Sequence, residues 1–172
     1  MNAYADWLDV ALQAAEAAGA LMKQQWRQTH TVHQKGFRDI VTETDVAVER
    51  IILGRLREAF PDHAMMSEEA GDVSARADPA HATTRWVVDP LDGTTNFSRN
   101  NPNFSTSIAA VHEGQVVVGV ILDPLRGHTF AAQLGGGATL NGVPIHTSDV
   151  TDLEGAIFGV DTPREPALRS AM

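Results

Sequence analysis

The chain has 172 residues, 43% of them hydrophobic and 20% charged, which is ordinary globular material and long enough for one domain with a real core. Its formal charge of −9 argues against a nucleic acid polymer as partner, but not against phosphate, because a bound metal ion reverses the sign of a site locally. With no Cys there is neither a disulfide scaffold nor a thiolate site, which fits a reducing cytoplasm.

Asp6 and Asp9 stand where a signal peptide would be apolar. From about Tyr4 to Gln28, Leu8, Leu12, Ala15, Ala18, Met22 and Trp26 recur at helical spacing, which predicts an amphipathic helix with one buried face. His30 and His33 follow, and a His pair with no third ligand in sequence reads as surface polar structure. Gly36 permits a tight bend and Ile40-Val41 is a brief apolar run. Thr42-Glu43-Thr44-Asp45 then opens a second helix to Phe60, with Val48, Ile51, Ile52, Leu56 and Ala59 as its apolar positions and Pro61 as its stop. Thr42 to Asp45 is close to a capping box, in which Asp45 would support the helix start. His63 to Met66 reads as a short strand ending in Ser67-Glu68-Glu69, and Ser74 to Ala82 as a surface loop.

Trp86, Val87 and Val88 form the apolar, β-branched run of a buried strand. That strand is expected to stop at Asp89-Pro90, because Pro90 has no backbone donor, and Asp92-Gly93 supplies a turn. Two carboxylates then lie at the carboxyl end of a strand, where open α/β sheets bind ligands. Gly93, Thr94 and Thr95 offer free N–H groups if a short helix begins there. An Asp- and Gly-rich turn alone would explain this spacing, but Glu68 and Glu69 add a second acidic cluster. If Glu68, Asp89 and Asp92 converge, each like-charged pair at about 4 Å costs about 4 kcal/mol at an effective dielectric near 20. Such groups must raise their pKa values or recruit a cation, and an all-oxygen set suits a hard cation such as Mg²⁺.

Ser98 to Asn103 is a polar loop. Phe104 to His112 and Gln115 to Leu122, joined by Glu113-Gly114, read as a hairpin, and the run near Val116 to Leu122 is too short to span a membrane. Gly127 to Gln133 is a further strand and Gly135 to Gly142 a glycine-rich turn. Those glycines are not a dinucleotide loop, because Val143-Pro144-Ile145 reads extended rather than helical. Gly155 to Val160 is the last strand signal, and Asp161-Thr162-Pro163 resembles a cap and first helical turn.

Asp89-Pro90-Leu91-Asp92-Gly93-Thr94-Thr95-Asn96-Phe97, with Glu68-Glu69 and Asp39-Ile40-Val41-Thr42-Glu43-Thr44-Asp45 before it, resembles the inositol monophosphatase family. Gly135 to Gly142 also looks like a family segment, so the likeness covers essentially the whole chain. Haloacid dehalogenases, which use Asp-x-Asp-Gly-Thr, are not matched, since two residues separate Asp89 from Asp92.

The resemblance implies an α+β fold, a layered sandwich of the sugar-phosphatase type with two N-terminal helices packed on a largely antiparallel sheet. Residues 1–160 would form a metal- and phosphate-binding domain, and 161–172 would begin a truncated C-terminal α/β domain. It implies Mg²⁺ held by Glu68, Asp89, Asp92 and the Leu91 carbonyl, phosphate on Gly93, Thr94 and Thr95, and catalytic roles for Asp45, Thr94 and Glu69. Lys35 would neighbour the metal cluster. Asp45 has two readings, a helix cap and a partner of the Thr94 hydroxyl, which compete for one carboxylate. The implied reaction is hydrolysis of a small phosphorylated polyol or sugar in the cytoplasm, with no membrane partner and a homodimer left open. A fructose bisphosphatase, histidinol phosphatase or nucleotide 3′-phosphatase stays open, as does a non-catalytic metal-binding or interaction module. In the family a later carboxylate completes the second metal position, so one firm Mg²⁺ site, a weak second one and little turnover are expected of these residues alone.

Overall fold

Helix α1 (Ala5–Gln25) and helix α2 (Glu43–Ala59) pack against each other on one face of a sheet. The computed structural model describes residues 4–36, 39–73, 83–157 and 159. The buried stripe of α1 is narrower in side-chain size than its sequence pattern predicts: Ala11, Ala14, Ala15, Ala18, Gly19 and Met22 are buried, while Leu8, Leu12 and Trp26 pack at its margins. Small residues bring the helix close to the sheet. A Cβ at Gly19 would lie 2.2 Å from the end of the Leu122 side chain, so a larger residue there would force Leu122 to shift.

A hairpin of β1 (Val32–Gly36) and β2 (Asp39–Thr42) leads into α2. Then follow β3 (Ala64–Ser67), β4 (Gly71–Val73), β5 (Thr84–Asp92), the one-turn helix α3 (Thr94–Ser98), β6 (Ser105–His112), β7 (Gln115–Asp123), β8 (His128–Gln133), β9 (Gly137–Leu140) and β10 (Val143–Ile145). The eight-stranded sheet has the order β10-β9-β8-β7-β6-β5-β3-β4. Only the β3–β5 pair is parallel, so the fold is α+β with a largely antiparallel sheet, as expected.

Alternation along β5 to β8 divides the sheet into two faces. Trp86, Val88, Ile108, Ala110, Val118, Val120 and Ala131 are buried in the core with Met22, Val48, Ile52 and Leu56 of the helices. On the opposite face Ile121 and Phe130 are 48% and 38% exposed.

Two sequence expectations are corrected here. The Gly135 to Gly142 run is not one turn: Gly137–Leu140 is a strand paired with both β8 and β10, because its alternating small residues tolerate extended backbone between two positive-φ turns. Residues 155–157 form no strand, and Phe158 and Val160 lie outside the described residues. The expected helix and domain start at 161–172, and the surface loop from Ser74 to Ala82, lie outside the described residues.

Candidate active site

Parallel pairing sets the first carboxylates side by side. Ser67 pairs with Val88 at the end of β3, and the Glu68 amide continues the ladder by donating to the Val88 carbonyl at 3.1 Å. Glu68 therefore emerges next to Asp89. The two carboxyls lie close enough for the Glu68 charge to disfavour ionisation of Asp89.

Contrary to the sequence expectation, β5 does not stop at Asp89-Pro90 but continues to Asp92. Asp89 pairs with Ser107 and Asp92 with Ser105, three steps on β5 against two on β6, which is a one-residue bulge. Pro90 is accommodated because β3 has already ended, so its missing N–H breaks no ladder on that side. The bulge keeps Asp92 near Asp89 while Leu91 turns into the core, 2% exposed.

Gly93 follows with φ 91 and ψ 36, the left-handed conformation that reverses the chain into α3. A Cβ there would also meet the Asn103 carbonyl at 2.8 Å, so position 93 demands glycine twice over. The Thr94 hydroxyl points back between two acceptors, Asp45 Oδ1 at 2.7 Å and the Leu91 carbonyl at 3.0 Å.

Asp45, 1% exposed, does not choose between its two readings. Its Oδ2 accepts from the Thr42 amide at 2.9 Å and from the Thr42 hydroxyl at 2.5 Å, completing a capping box, while Oδ1 serves Thr94. A carboxylate has two oxygens with about four lone-pair sites, so the cap and the threonine contact coexist.

The Asp89 carboxyl is pushed up to about 7, first by burial, then by the charge and hydrogen bond of Glu68, and then by the charges of Asp92 and Asp45. Its Oδ1 is buried without a hydrogen-bond partner, as is the Ser67 hydroxyl nearby in the cleft that Glu68 and Asp89 line. An orphaned carboxylate oxygen amid like charges fits a bound cation, which would supply both the missing partner and the countercharge. Among the described residues no three His, Asp or Glu side chains are arranged to hold an ion by themselves. Backbone carbonyl oxygen and water would have to complete the shell.

Of the other expected residues, Thr95 is exposed on α3 and Glu69 is half-buried in the turn after Glu68. The Lys35 side chain lies outside the described residues. His30 is not a surface residue: its side chain is 3% exposed, its ring tilted against that of Phe97 with centroids 4.7 Å apart, and it lies 3.5 Å from Thr44 Oγ1 and Glu43 Oε1. Phe97 arrives from far along the chain, which is why helical spacing could not foretell that contact.

Sequence reasoning missed Glu49. It is 7% exposed on the inner face of α2, and its Oε1 accepts the Ala70 amide at 3.0 Å. The signal was there, an acidic residue one turn after Asp45 and between Val48 and Ile52 on the apolar stripe. It also missed a clamp behind Gly93. Arg126 donates to Asp123 Oδ2 at 2.5 Å and to Asn103 Oδ1 at 2.8 Å, and the Asn103 carbonyl in turn accepts from Asn96 Nδ2 at 2.7 Å.

Helices packed on a mixed, largely antiparallel sheet, in the form shared with solved inositol monophosphatases, place the chain in a phosphatase superfamily. The profile of the inositol monophosphatase family matches residues 3–167, and the chain belongs to that family. The Nus factor SuhB of Pseudomonas aeruginosa is 42% identical over 158 residues, covering 91% of this chain and 58% of that protein. The extragenic suppressor protein suhB of Bartonella henselae is similar in structure, with TM-score 0.79, 34% identity, and coverage of 85% of this chain and 56% of that one. An IMPase of Thermotoga maritima gives TM-score 0.76 at 37% identity, covering 84% and 54%. The chain thus spans somewhat over half the length of the proteins it matches.

Proposed function

We propose that the chain carries the metal- and phosphate-binding centre of a Mg²⁺-dependent phosphate monoester hydrolase acting on a small phosphorylated polyol or sugar, an inositol phosphate in the first instance. The observation that carries this reading is Asp89, whose buried, unpartnered Oδ1 sits among Glu68, Asp92 and Asp45. Three acidic groups gathered around an orphaned carboxylate oxygen call for a cation.

In this reading Glu68, Asp89 and the Leu91 carbonyl would hold one Mg²⁺, and Asp92 with Asp89 would provide part of a second position. The ions would activate water and neutralise charge on the transferring phosphoryl group. The chain's own groups do the positioning. The Gly93 and Thr94 amides receive phosphate oxygens, since the left-handed Gly93 turns the start of α3 toward the strand end. Asp45 Oδ1 accepts the Thr94 proton, which fixes the hydroxyl so that its lone pairs face an incoming water. Glu69 serves beside Glu68 as the acidic group that assists this water. Thr95 adds a third amide to the phosphate cradle.

In this reading the named residues would bind one Mg²⁺ measurably and a second very weakly, because Asp92 and Asp89 alone offer few ligands to the second. Phosphate release from inositol phosphates, sugar phosphates and nucleotide 3′-phosphates, with and without Mg²⁺, tests the assignment alongside a calorimetric Mg²⁺ titration. Absence of any Mg²⁺ binding refutes it.

A second reading rests on the name of the 42% identical relative, a Nus factor. In it the same fold serves as a non-catalytic interaction module. Firm Mg²⁺ binding with no phosphate release from a chain extended to its relatives' full length favours that reading.

A further inference from the structure

We infer that Glu49 is a positioning residue for the Glu68 carboxylate, holding from the buried face of α2 the turn on which Glu68 stands. The inference rests on the reading of Glu68 as a metal ligand.

The turn from Glu68 to Ala70, closed by the pairing of Ser67 with Gly71, is also held from two sides. In front, the Glu68 amide donates to the Val88 carbonyl, which ties it to the strand that carries Asp89. Behind, the Ala70 amide donates to Glu49 Oε1 at 3.0 Å. Beyond Ala70 the chain reverses at Gly71, with φ 67, into β4, an edge strand of three largely exposed residues. A short edge strand fixes little by itself. Without the rear anchor the turn would rest on the Val88 ladder bond and the short pairing of β3 with β4, and the Glu68 side chain would gain freedom to swing into solvent.

Glu49 occupies an unfavourable place for a charge. It is 7% exposed, on a helix face shared with Val48, Ile52, Leu53 and Leu56. A carboxylate there is tolerated when it is hydrogen-bonded, and an ionised acceptor makes roughly twice as strong a bond to an amide as a neutral one. Packing alone would be served better by leucine.

Geometry gives the residue its use. Glu49 follows Asp45 by four positions, one turn along the same face, about 6 Å apart at 1.5 Å rise per residue. Asp45 holds the Thr94 hydroxyl and Glu49 holds the Glu68 turn. A single rigid helix therefore ties the water-orienting threonine and the metal-ligand turn, which come from separate segments, to one ruler.

The test compares Glu49→Leu with Glu49→Gln by calorimetric Mg²⁺ titration, by thermal unfolding in EDTA, and by hydrogen exchange of the Glu68 to Ala70 amides in metal-free protein. E49L is expected to weaken Mg²⁺ binding at least tenfold and to speed Ala70 exchange, while its unfolding temperature in EDTA is kept or raised. E49Q, which retains an acceptor, is expected to lose less than threefold in Mg²⁺ affinity. Glu49→Ala takes the place of E49L if leucine is not accommodated. Wild-type Mg²⁺ affinity in E49L, equal losses in E49L and E49Q, or unchanged Ala70 exchange in E49L would each overturn the inference. A wild-type chain that binds no Mg²⁺ sinks the metal reading instead, and the exchange measurement then decides the role of Glu49 by itself.

Discussion

Replacing Asp89 by Asn is expected to stabilise the metal-free protein and to abolish its stabilisation by Mg²⁺. The Asp89 carboxyl stands at about 7 against an ordinary 3.8, because burial and the neighbouring Glu68, Asp92 and Asp45 disfavour its charge. A gap of roughly three units corresponds to ~4 kcal/mol at about 1.36 kcal/mol per unit. Asp89 is only half-buried, so solvent screening reduces this to ~2 kcal/mol. A raised carboxyl pKa means that the folded state keeps a proton that the unfolded chain has already released. Stability therefore falls as pH rises from about 4 to about 7, and the full cost applies above that window. Asn keeps the shape and removes the charge. In EDTA at pH 8 its melting temperature should exceed wild type by about 4 to 8 °C for a chain of this size, and the gain should shrink to a fraction near pH 4.5. Adding millimolar Mg²⁺ should raise the wild-type melting temperature and leave the Asp89→Asn variant unchanged. A variant less stable than wild type at pH 8 in EDTA would show that Asp89 is held by favourable contacts and refute the electrostatic account.

Thr94→Ala removes the hydroxyl held by Asp45 and leaves every proposed ligand atom in place, the Leu91 carbonyl losing only its hydrogen bond from that hydroxyl, so any phosphatase activity should fall about 100-fold or more while calorimetric Mg²⁺ affinity stays within about twofold. Parallel loss of both would mark Thr94 as structural. Gly93→Ala must place a Cβ 2.8 Å from the Asn103 carbonyl at φ 91, which should cost about 1–3 kcal/mol in urea unfolding. Wild-type stability would mean that the turn relaxes freely. At the far end of β5, His63 Nδ1 accepts the Trp86 indole N–H at 3.1 Å, and burial followed by the charge of His112 lowers the His63 pKa. A lowered His pKa gives stability that is complete above about 6.5 and lost as pH falls below it. Replacing His63 by Gln should flatten that acid limb of the melting-temperature profile, and an unaltered limb would assign it to other groups.

Much of the site was legible because its residues are close in sequence. Glu68-Glu69 and the run from Asp89 to Thr95 announce acidic chemistry beside a backbone that must turn, and local turn chemistry follows from residue type. The helices were legible for the same reason, since a period of 3.6 is a local property. Reasoning failed where distant segments decide. Pro90 looked like a strand end because its neighbours in space were unknown. Once β3 is seen to stop at Ser67, the proline falls in a bulge and the strand runs on to Asp92. His30 looked exposed because Phe97, which covers it, lies 67 positions later.

By itself, then, the sequence determined the two long helices, the acidic residue set and the turn at Asp92-Gly93. These depend on side-chain chemistry, backbone freedom and short-range periodicity. Only the tertiary structure decided that Asp45 serves two hydroxyls at once, that the Asp89 oxygen is left without a partner, and that Glu49 reaches the Ala70 amide. Hydrogen-bond direction and desolvation arise between segments. Which of a carboxylate's oxygens is satisfied is set by strand register and helix rotation, and neither is written in the local order of residues.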